Sequence, residues 1–204
     1  DVGANIHCKP IHLLQYAIMA SAYAQEILGI ENPTVGLLSI GEEEAKGNDL
    51  VKRSRNLLSG ADINFVGNVE GQAIFRHMAD VVVCDGFVGN VILKVAEGLA
   101  EAFMHTLFRV AEAAADSNSG QDYPEILRDL KHRMDYAATG GAPLLGVQGS
   151  VIICHGRSKA TAFANALGVA IDFTRTGVNE RIVEHVANVG MIARVADFFH
   201  KDHG

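Results

Sequence analysis

The sequence has no tryptophan and only four tyrosines, and its formal net charge is −7. Proteins that bind nucleic acid usually carry basic surfaces and aromatic side chains on which bases stack. The chain offers little of either, so its composition argues against a nucleic acid partner. An acidic partner would need a local basic patch.

Cysteine is scarce and does not suggest a disulfide framework. Cys8, Cys84 and Cys154 are odd in number and far apart, which is typical of reduced thiols in a cytoplasmic protein. Cys84 ends an apolar run, so we expect a buried, unreactive thiol there. No apolar stretch approaches the ~20 residues needed to span a bilayer. We expect a cytoplasmic protein whose membrane contact, if any, is peripheral and at the inner face.

Two common nucleotide-binding motifs are missing. The sequence has no Gly-x-Gly-x-x-Gly after a strand and no Gly-Lys-Ser/Thr phosphate loop, which argues against an ordinary dinucleotide fold and a nucleotide triphosphatase. The run Glu42 to Glu44 suggests metal ligands, but adjacent side chains cannot all point one way. No other acidic or histidine set has a coordination spacing. We therefore expect neither a metal nor a cofactor.

What the sequence does contain is an alternation of strand and helix patterns. With 49% hydrophobic and 20% charged residues, the chain can bury a sizeable core. The predicted strands are 34–40, 63–66, 81–84 and 150–154, and the predicted helices are 10–28, 48–58, 90–115, 158–173 and 179–200. Such alternation predicts an α/β fold with a mainly parallel, layered sheet.

One segment departs from the alternation. Helix 90–115 is followed by a polar turn and a second helix at 123–136, so residues 90–136 are predicted to form a long helical hairpin. Apolar side chains on the first helix and basic ones on the second suggest that 103–133 contacts an anionic membrane surface or an acidic carrier protein. The alternative is a core-packing or dimer-forming helix pair with a solvated basic face.

Four segments share one arrangement, in which an apolar strand ends in glycine and small polar or charged residues and a helix follows. They are 1–5, 39–48, 85–94 and 154–159. Because the carboxyl ends of parallel strands meet at one edge, where ligands bind in open α/β sheets, we expect these segments to line a single cleft. Its candidate residues are Asn5, Lys46, Asn48, Asp85, Asn90, Lys94, His155, Arg157 and Ser158.

The segment 81–94 is the most informative of these. Its strand breaks at Asp85 and Gly86, and a helix is predicted to start near Asn90, where unpaired amides would favour an anion. Lys94 would then lie one turn inside the helix on the face of Asn90. We predict an anion site with Asp85 and Lys94 as catalytic candidates and Gly86 and Asn90 as binding candidates. The alternative is an ordinary turn with a Lys94–Asp85 pair.

The segment after the last predicted strand provides a third catalytic candidate, His155, which could donate a proton or a hydrogen bond. Gly156 would let the backbone approach a ligand, Arg157 could fork onto a phosphate or carboxylate, and Ser158 could cap the next helix. The alternative is a structural histidine, a solvent-facing arginine and a plain helix cap.

Together these segments resemble the phosphate acyltransferase family of bacterial phospholipid synthesis, the PlsX family. The matching stretches are 1–5 with 9–10, 29–33, 35–43 with 46–48, 61–70, 79–90, 140–146 and 155–156. The resemblance implies an enzyme that converts acyl carrier protein thioesters and inorganic phosphate into acyl phosphates. It adds Gly47, Gly140 and Gly141 to the substrate-binding candidates.

The resemblance also implies an architecture and partners. The fold would be a three-layer α/β/α unit similar to phosphotransacetylases and isopropylmalate dehydrogenases, with homodimers and an active-site cleft. Residues 1–204 would form the C-terminal part of one such unit, without the family's N-terminal lobe. The implied partners are acyl carrier protein, inorganic phosphate and a second copy of the chain.

We expect bound phosphate to attack the thioester carbonyl directly, because an oriented phosphate is a competent nucleophile and a thiolate, with a pKa near ~8.5, leaves readily. Asn48, Asn90 or His155 could stabilise the oxyanion. Two alternatives remain open at this point: a CoA-dependent phosphate acetyltransferase, and a non-catalytic phosphate- or acyl-binding scaffold at the membrane.

Overall fold

A parallel three-stranded sheet forms the centre of the fold. The structure is a computed structural model that describes residues 2–115, 140–156 and 158–187, with the backbone alone at 111–115. Strand β1 (Thr34–Leu38) lies between β2 (Asn64–Val69) and β3 (Val81–Val83), and both neighbours run parallel to it. The mostly buried Val and Leu residues of β1 and β3 suit strands that are covered on both faces, whereas β2 is buried only at Asn68 and Val69. The predicted α/β class with a parallel sheet is confirmed, in agreement with a three-layer α/β/α fold.

Helices connect and cover the strands, and a small antiparallel hairpin follows residue 140. The remaining elements are α1 (Pro10–Glu26), α2 (Asp49–Ser59), α3 (Ala73–Arg76), α4 (Gly86–Ala115), β4 (Ala142–Pro143), β5 (Ile152–Ile153), α5 (Ala160–Arg175) and α6, which is described over 178–187. No helix in the described ranges is both long enough and apolar enough to cross a bilayer.

Helix α1 is apolar on two sides, and a buried cluster forms against each. Towards the sheet, Leu13 packs with Leu37 of β1 and Leu58 of α2, all at most 1% exposed. On the other side, Ala22 packs with Phe173 and with further apolar residues of α6. Burying apolar surface on both sides stabilises the fold and fixes α1 between the sheet and the α5–α6 pair.

The ladder between β1 and β2 contains a bulge. Gly36 lies opposite Gly67 rather than Val66, so Val66 is an extra residue in β2. Gly67 has a φ of +100°, a conformation that glycine adopts without steric cost. The bulge lets β2 continue to Val69, past the end predicted from the sequence at 63–66.

Two segments differ from their predicted secondary structure. Strand β4 lies in a glycine-rich stretch for which the sequence predicts only a loop, and it pairs with β5, the core of the predicted strand 150–154. Helix α4 contains the predicted helix 90–115 but begins four residues earlier, at Gly86. The second helix of the predicted hairpin, 123–136, lies outside the described residues, so the hairpin stays a prediction.

A polar clamp ties the start of β1 to the residue before β3. The Oδ2 atom of Asp80 accepts hydrogen bonds from Thr34 N at 2.8 Å and from Thr34 Oγ1 at 2.6 Å. In return, the Asp80 amide donates to Thr34 Oγ1 at 3.0 Å. The hydrogen bonds from the Thr34 side chain and backbone hold the pKa of Asp80 below its usual value near 3.8.

This clamp predicts an acid-dependent stability. Because the folded pKa of Asp80 is lowered, its contribution is fully present above pH 3.8 and is lost as the pH falls through the lowered value. Asp80→Asn should therefore lower the melting temperature at neutral pH, and the difference from the unsubstituted protein should shrink towards pH 3. Thr34→Val removes the hydroxyl that donates to Asp80 Oδ2 and accepts from the Asp80 amide, and it should show a smaller version of the same pH trend because Thr34 N still donates to Asp80 Oδ2. A difference that is equal at both pH values would contradict the assignment.

Candidate functional site

The order of the sheet brings two candidate loops to one edge. Strands β1 and β3 are neighbours and parallel, so residues 39–48 after β1 and residues 84–86 after β3 leave the sheet at the same end. Ligands bind beyond this edge in open α/β sheets. The structure therefore places the loops that carry Asn48 and Asp85, two of the four segments of the predicted cleft, at the same end of the sheet.

The turn between β3 and α4 is closed by groups of the protein itself. Asp85 is the cap residue of α4: its Oδ1 accepts from Val88 N at 2.9 Å, and its carbonyl accepts from Gly89 N at 2.9 Å. Gly86 N donates to the carbonyl of Asn5 at 3.0 Å. The carboxylate of Asp85 thus supplies the negative charge that the positive end of the helix dipole favours.

The earlier start of α4 corrects two predictions. The helix does not begin near Asn90, because Asp85 caps it and glycine at 86 is tolerated in a first turn. Lys94 therefore lies about 12 Å along the axis from Gly86 rather than one turn in. The alternative Lys94–Asp85 pair is wrong as well, since Lys94 Nζ lies 2.7 Å from Glu97 Oε2. With side chains 59% and 50% exposed, this is a surface ion pair of small energetic weight.

The loop that carries Asn5 contacts the first turns of α4. The loop that carries Asn5 lies across the helix start, and a methyl group on Gly3 would lie 3.7 Å from Asn90 Cβ. Asn90 is exposed in the second turn of α4, and Gly86 beneath it is buried. The structure thus brings together four of the predicted site residues, namely Asn5, Asp85, Gly86 and Asn90.

The loop after β1 is held from both sides. Asn48 caps α2 by accepting from Val51 N at 2.9 Å, and Asn68 at the end of β2 donates to the carbonyl of Glu43 at 3.0 Å. Lys46 and Asn48 are exposed, whereas Gly47 between them is half-buried. Glu44 pairs with Arg55. Within the described ranges, no group of three or more His, Cys, Asp or Glu residues could hold a metal ion.

The glycines of the β4–β5 hairpin let its backbone pack closely. A methyl group on Gly140 would lie 2.5 Å from Ala166 N, and one on Gly141 would lie 2.7 Å from Ile152 Cγ2. Both glycines therefore have a packing reason to be present. Their predicted contact with substrate stays a prediction.

The turn after β5 contains the remaining candidates. The carbonyl of His155 accepts from Ser158 N at 2.8 Å. Ser158 does not cap α5: the cap residue is Lys159, and the buried Ser158 hydroxyl has no hydrogen-bond partner in the part of the chain that the structure describes. Gly156 is exposed, with open space around it, and Arg157 lies outside the described residues.

Tyr16, which no motif in the sequence marks, is hydrogen-bonded to the site residue Asn5. The Asn5 amide donates to the Tyr16 hydroxyl, and Cys8 Sγ donates to the Asn5 carbonyl at 3.2 Å. Burial raises the pKa of Tyr16, so the phenol stays protonated at neutral pH. Only the folded loop brings Asn5 against α1, and no motif around Tyr16 marks the contact. Burial also raises the pKa of Cys84, in agreement with an unreactive thiol.

Comparison with known proteins gives a consistent result. The family model described as "Fatty acid synthesis protein" matches residues 1–181. The phosphate acyltransferase of Geobacter sulfurreducens is 46% identical over 185 residues, which are 90% of this chain and 54% of that protein. The phosphate acyltransferase of Desulforamulus reducens is 49% identical over 188 residues, or 92% of this chain and 56% of that protein. The chain spans about half the length of the curated relatives it matches.

Proposed function

Since the chain belongs to the fatty acid synthesis protein family, we propose that the intact protein transfers a fatty acyl group from an acyl carrier protein thioester to inorganic phosphate. The product is an acyl phosphate for phospholipid synthesis. The observation that carries the proposal is the similarity to proteins named phosphate acyltransferase along nine tenths of this chain. The cluster of Asn5, Asp85 and Asn90 at the ligand-binding edge of the sheet supports it.

The chemistry requires orientation more than a covalent enzyme intermediate. A phosphate oxygen attacks the thioester carbonyl carbon, the carbonyl oxygen becomes an oxyanion, and the C–S bond then breaks to release the thiolate. Both substrates are held, so the reaction gains from proximity, and donors aimed at the oxyanion stabilise the charge that develops.

The candidate residues divide these tasks. The exposed ammonium of Lys46 and the amide of Asn90 are suited to phosphate, and both follow strands that end at the same edge. Lys94 would join them only after leaving Glu97. Asp85 would accept a proton from phosphate as it attacks, and His155 would hydrogen-bond the oxyanion or protonate the thiolate.

Helix α4 supports the proposed homodimer. Val95, Leu99, Phe103 and Val110 share one face of this helix, and all four side chains are more than half exposed. Among the described residues this apolar stripe is largely uncovered, and a stripe of this kind marks an interaction surface. We assign a second copy of the chain to it. A peripheral membrane contact through residues 103–133 remains the notable alternative.

The proposed activity predicts phosphate-dependent product formation. The intact protein, palmitoyl-acyl carrier protein and inorganic phosphate should yield palmitoyl phosphate, which hydroxylamine converts to a hydroxamate that can be measured. A reaction without phosphate corrects for direct attack of hydroxylamine on the thioester. Product from acetyl-CoA alone would favour the acetyltransferase alternative. If neither donor gives product, catalysis is excluded and the non-catalytic phosphate- or acyl-binding scaffold is favoured.

A further inference from the structure

A cavity of about 1070 Å³ is lined at one point by Asn5, a residue of the candidate site. Its walls come from α1, from the loop 145–150 and from the α5–α6 pair. A second cavity, near His185, has about 500 Å³. Small-molecule sites typically measure ~300–1,000 Å³, so the larger cavity has room for an extended ligand.

The cavity has an apolar floor and a partly polar wall, with Gln15, Gln148, Ser150, Thr174 and Asn179 among its lining residues. Phe173 and Ile182 are 2% and 5% exposed, and Met19, Leu145 and Val186 pack around them. Glu180 and Glu184 are exposed among the lining residues on α6. Carboxylates at the rim repel a phosphate, so an uncharged apolar ligand suits the cavity better than an anion.

One residue connects the cavity with the candidate site. Asn5 lines the cavity, and its amide donates to Tyr16, which also lines it. The carbonyl of the same residue accepts from Gly86 N at the start of α4, at 3.0 Å. Asn5 therefore contacts both the cavity and the start of α4, which Asp85 caps.

We propose that this cavity binds the hydrocarbon chain of the acyl substrate, with the reacting carbonyl at Asn5 and the chain running between α1 and α6. The assignment rests on the proposed function, since it names where the acyl part of that substrate lies. Each methylene that the cavity buries should improve kcat/KM by about fourfold, in line with the usual transfer free energy of a buried methylene. The protein then prefers long chains because of the cavity.

A bulky side chain at the cavity wall tests the assignment. Val183 lines the cavity from α6 but is 66% exposed, so Val183→Trp adds volume without disturbing the core. Leu167 on α5 is also 66% exposed and does not line the cavity, so Leu167→Trp is the matched control. In the intact protein, Val183→Trp should lower kcat/KM roughly tenfold for palmitoyl-acyl carrier protein and leave the butyryl donor unchanged. Leu167→Trp should change neither.

Binding of the methyl ester of cis-parinaric acid, an uncharged fluorescent long-chain lipid, separates this assignment from the proposed function. If the probe binds more weakly to the Val183→Trp variant but not to the Leu167→Trp variant, the cavity assignment is supported, even if the protein forms no acyl phosphate. If acyl phosphate forms but the two tryptophan variants share one chain-length profile and one affinity for the probe, the cavity assignment is overturned while the function stands. If the unsubstituted protein does not bind the probe, the cavity assignment is also overturned.

Discussion

Replacing Asp85 with asparagine is expected to lower kcat of the intact protein by about 10²–10⁴, the usual worth of a general acid or base, with little change in melting temperature. Asparagine caps helices as well as aspartate does, and its Oδ1 can still accept from Val88 N. It cannot take a proton from an attacking phosphate. Initial rates of hydroxamate formation and a thermal melt of the same sample provide the two readouts.

Asp85→Ala is the companion variant, because it removes the cap and the carboxylate together. It should lose as much activity and also about 1 kcal/mol of stability, the typical value of a helix cap. If Asp85→Asn retains full activity while Asp85→Ala is merely less stable, Asp85 is a structural cap and the proton acceptor must lie elsewhere.

Gly140→Ala should destabilise the protein by about 2–4 kcal/mol, because strain at a positive φ and overpacking add together. Gly140 has a φ of +85°, and the new methyl group would lie 2.5 Å from Ala166 N and 2.6 Å from Asn165 C. Both contacts are with backbone atoms of α5, which cannot move aside as a flexible side chain can. Since natural domains are stable by only ~5–15 kcal/mol, this is a large share of the total. Urea denaturation followed by circular dichroism measures it.

Gly156→Ala is the matched control for Gly140→Ala. Gly156 belongs to the same region, has no strained φ, and has open space where a methyl group would sit. Its unfolding free energy should stay within ~0.5 kcal/mol of the original. Equal destabilisation by both substitutions would show that α5 does not press against Gly140 in solution.

The sequence predicts β1, β2, β3 and most helices well because their patterns are local. The prediction that places 150–154 in the same parallel sheet is wrong, because β5 pairs antiparallel with β4 in a separate two-stranded sheet, so parallel pairing does not bring His155 to the edge of Asp85. Pro10 at the start of α1 and the apolar run of β1 each match one element of the structure. The end of β2 and strand β4 could not be predicted in the same way. The first depends on a bulge against β1, and the second on pairing of a proline-containing stretch with β5.

The candidate site is predictable in outline but not in geometry. That Asp85 and Asn48 share an edge follows from parallel strands, which periodicity indicates. The position of Lys94 depends on where α4 begins, and two glycines near its start hide that point in the sequence. The contact of Asn5 with Tyr16, and the cavity beyond it, require folding of distant elements that no local pattern records.

The extra residue at Val66 decides which way the end of β2 faces. Successive side chains of a strand alternate, so one inserted residue exchanges the two sides for everything after it. Asn68 thereby comes opposite Leu37 and reaches the Glu43 carbonyl, whereas an even ladder would turn its amide away. The extra residue Val66, two positions before Asn68, thus sets the orientation of the loop that carries Lys46. If that loop were grafted onto another sheet, the neighbouring strand with its bulge would have to be transferred as well.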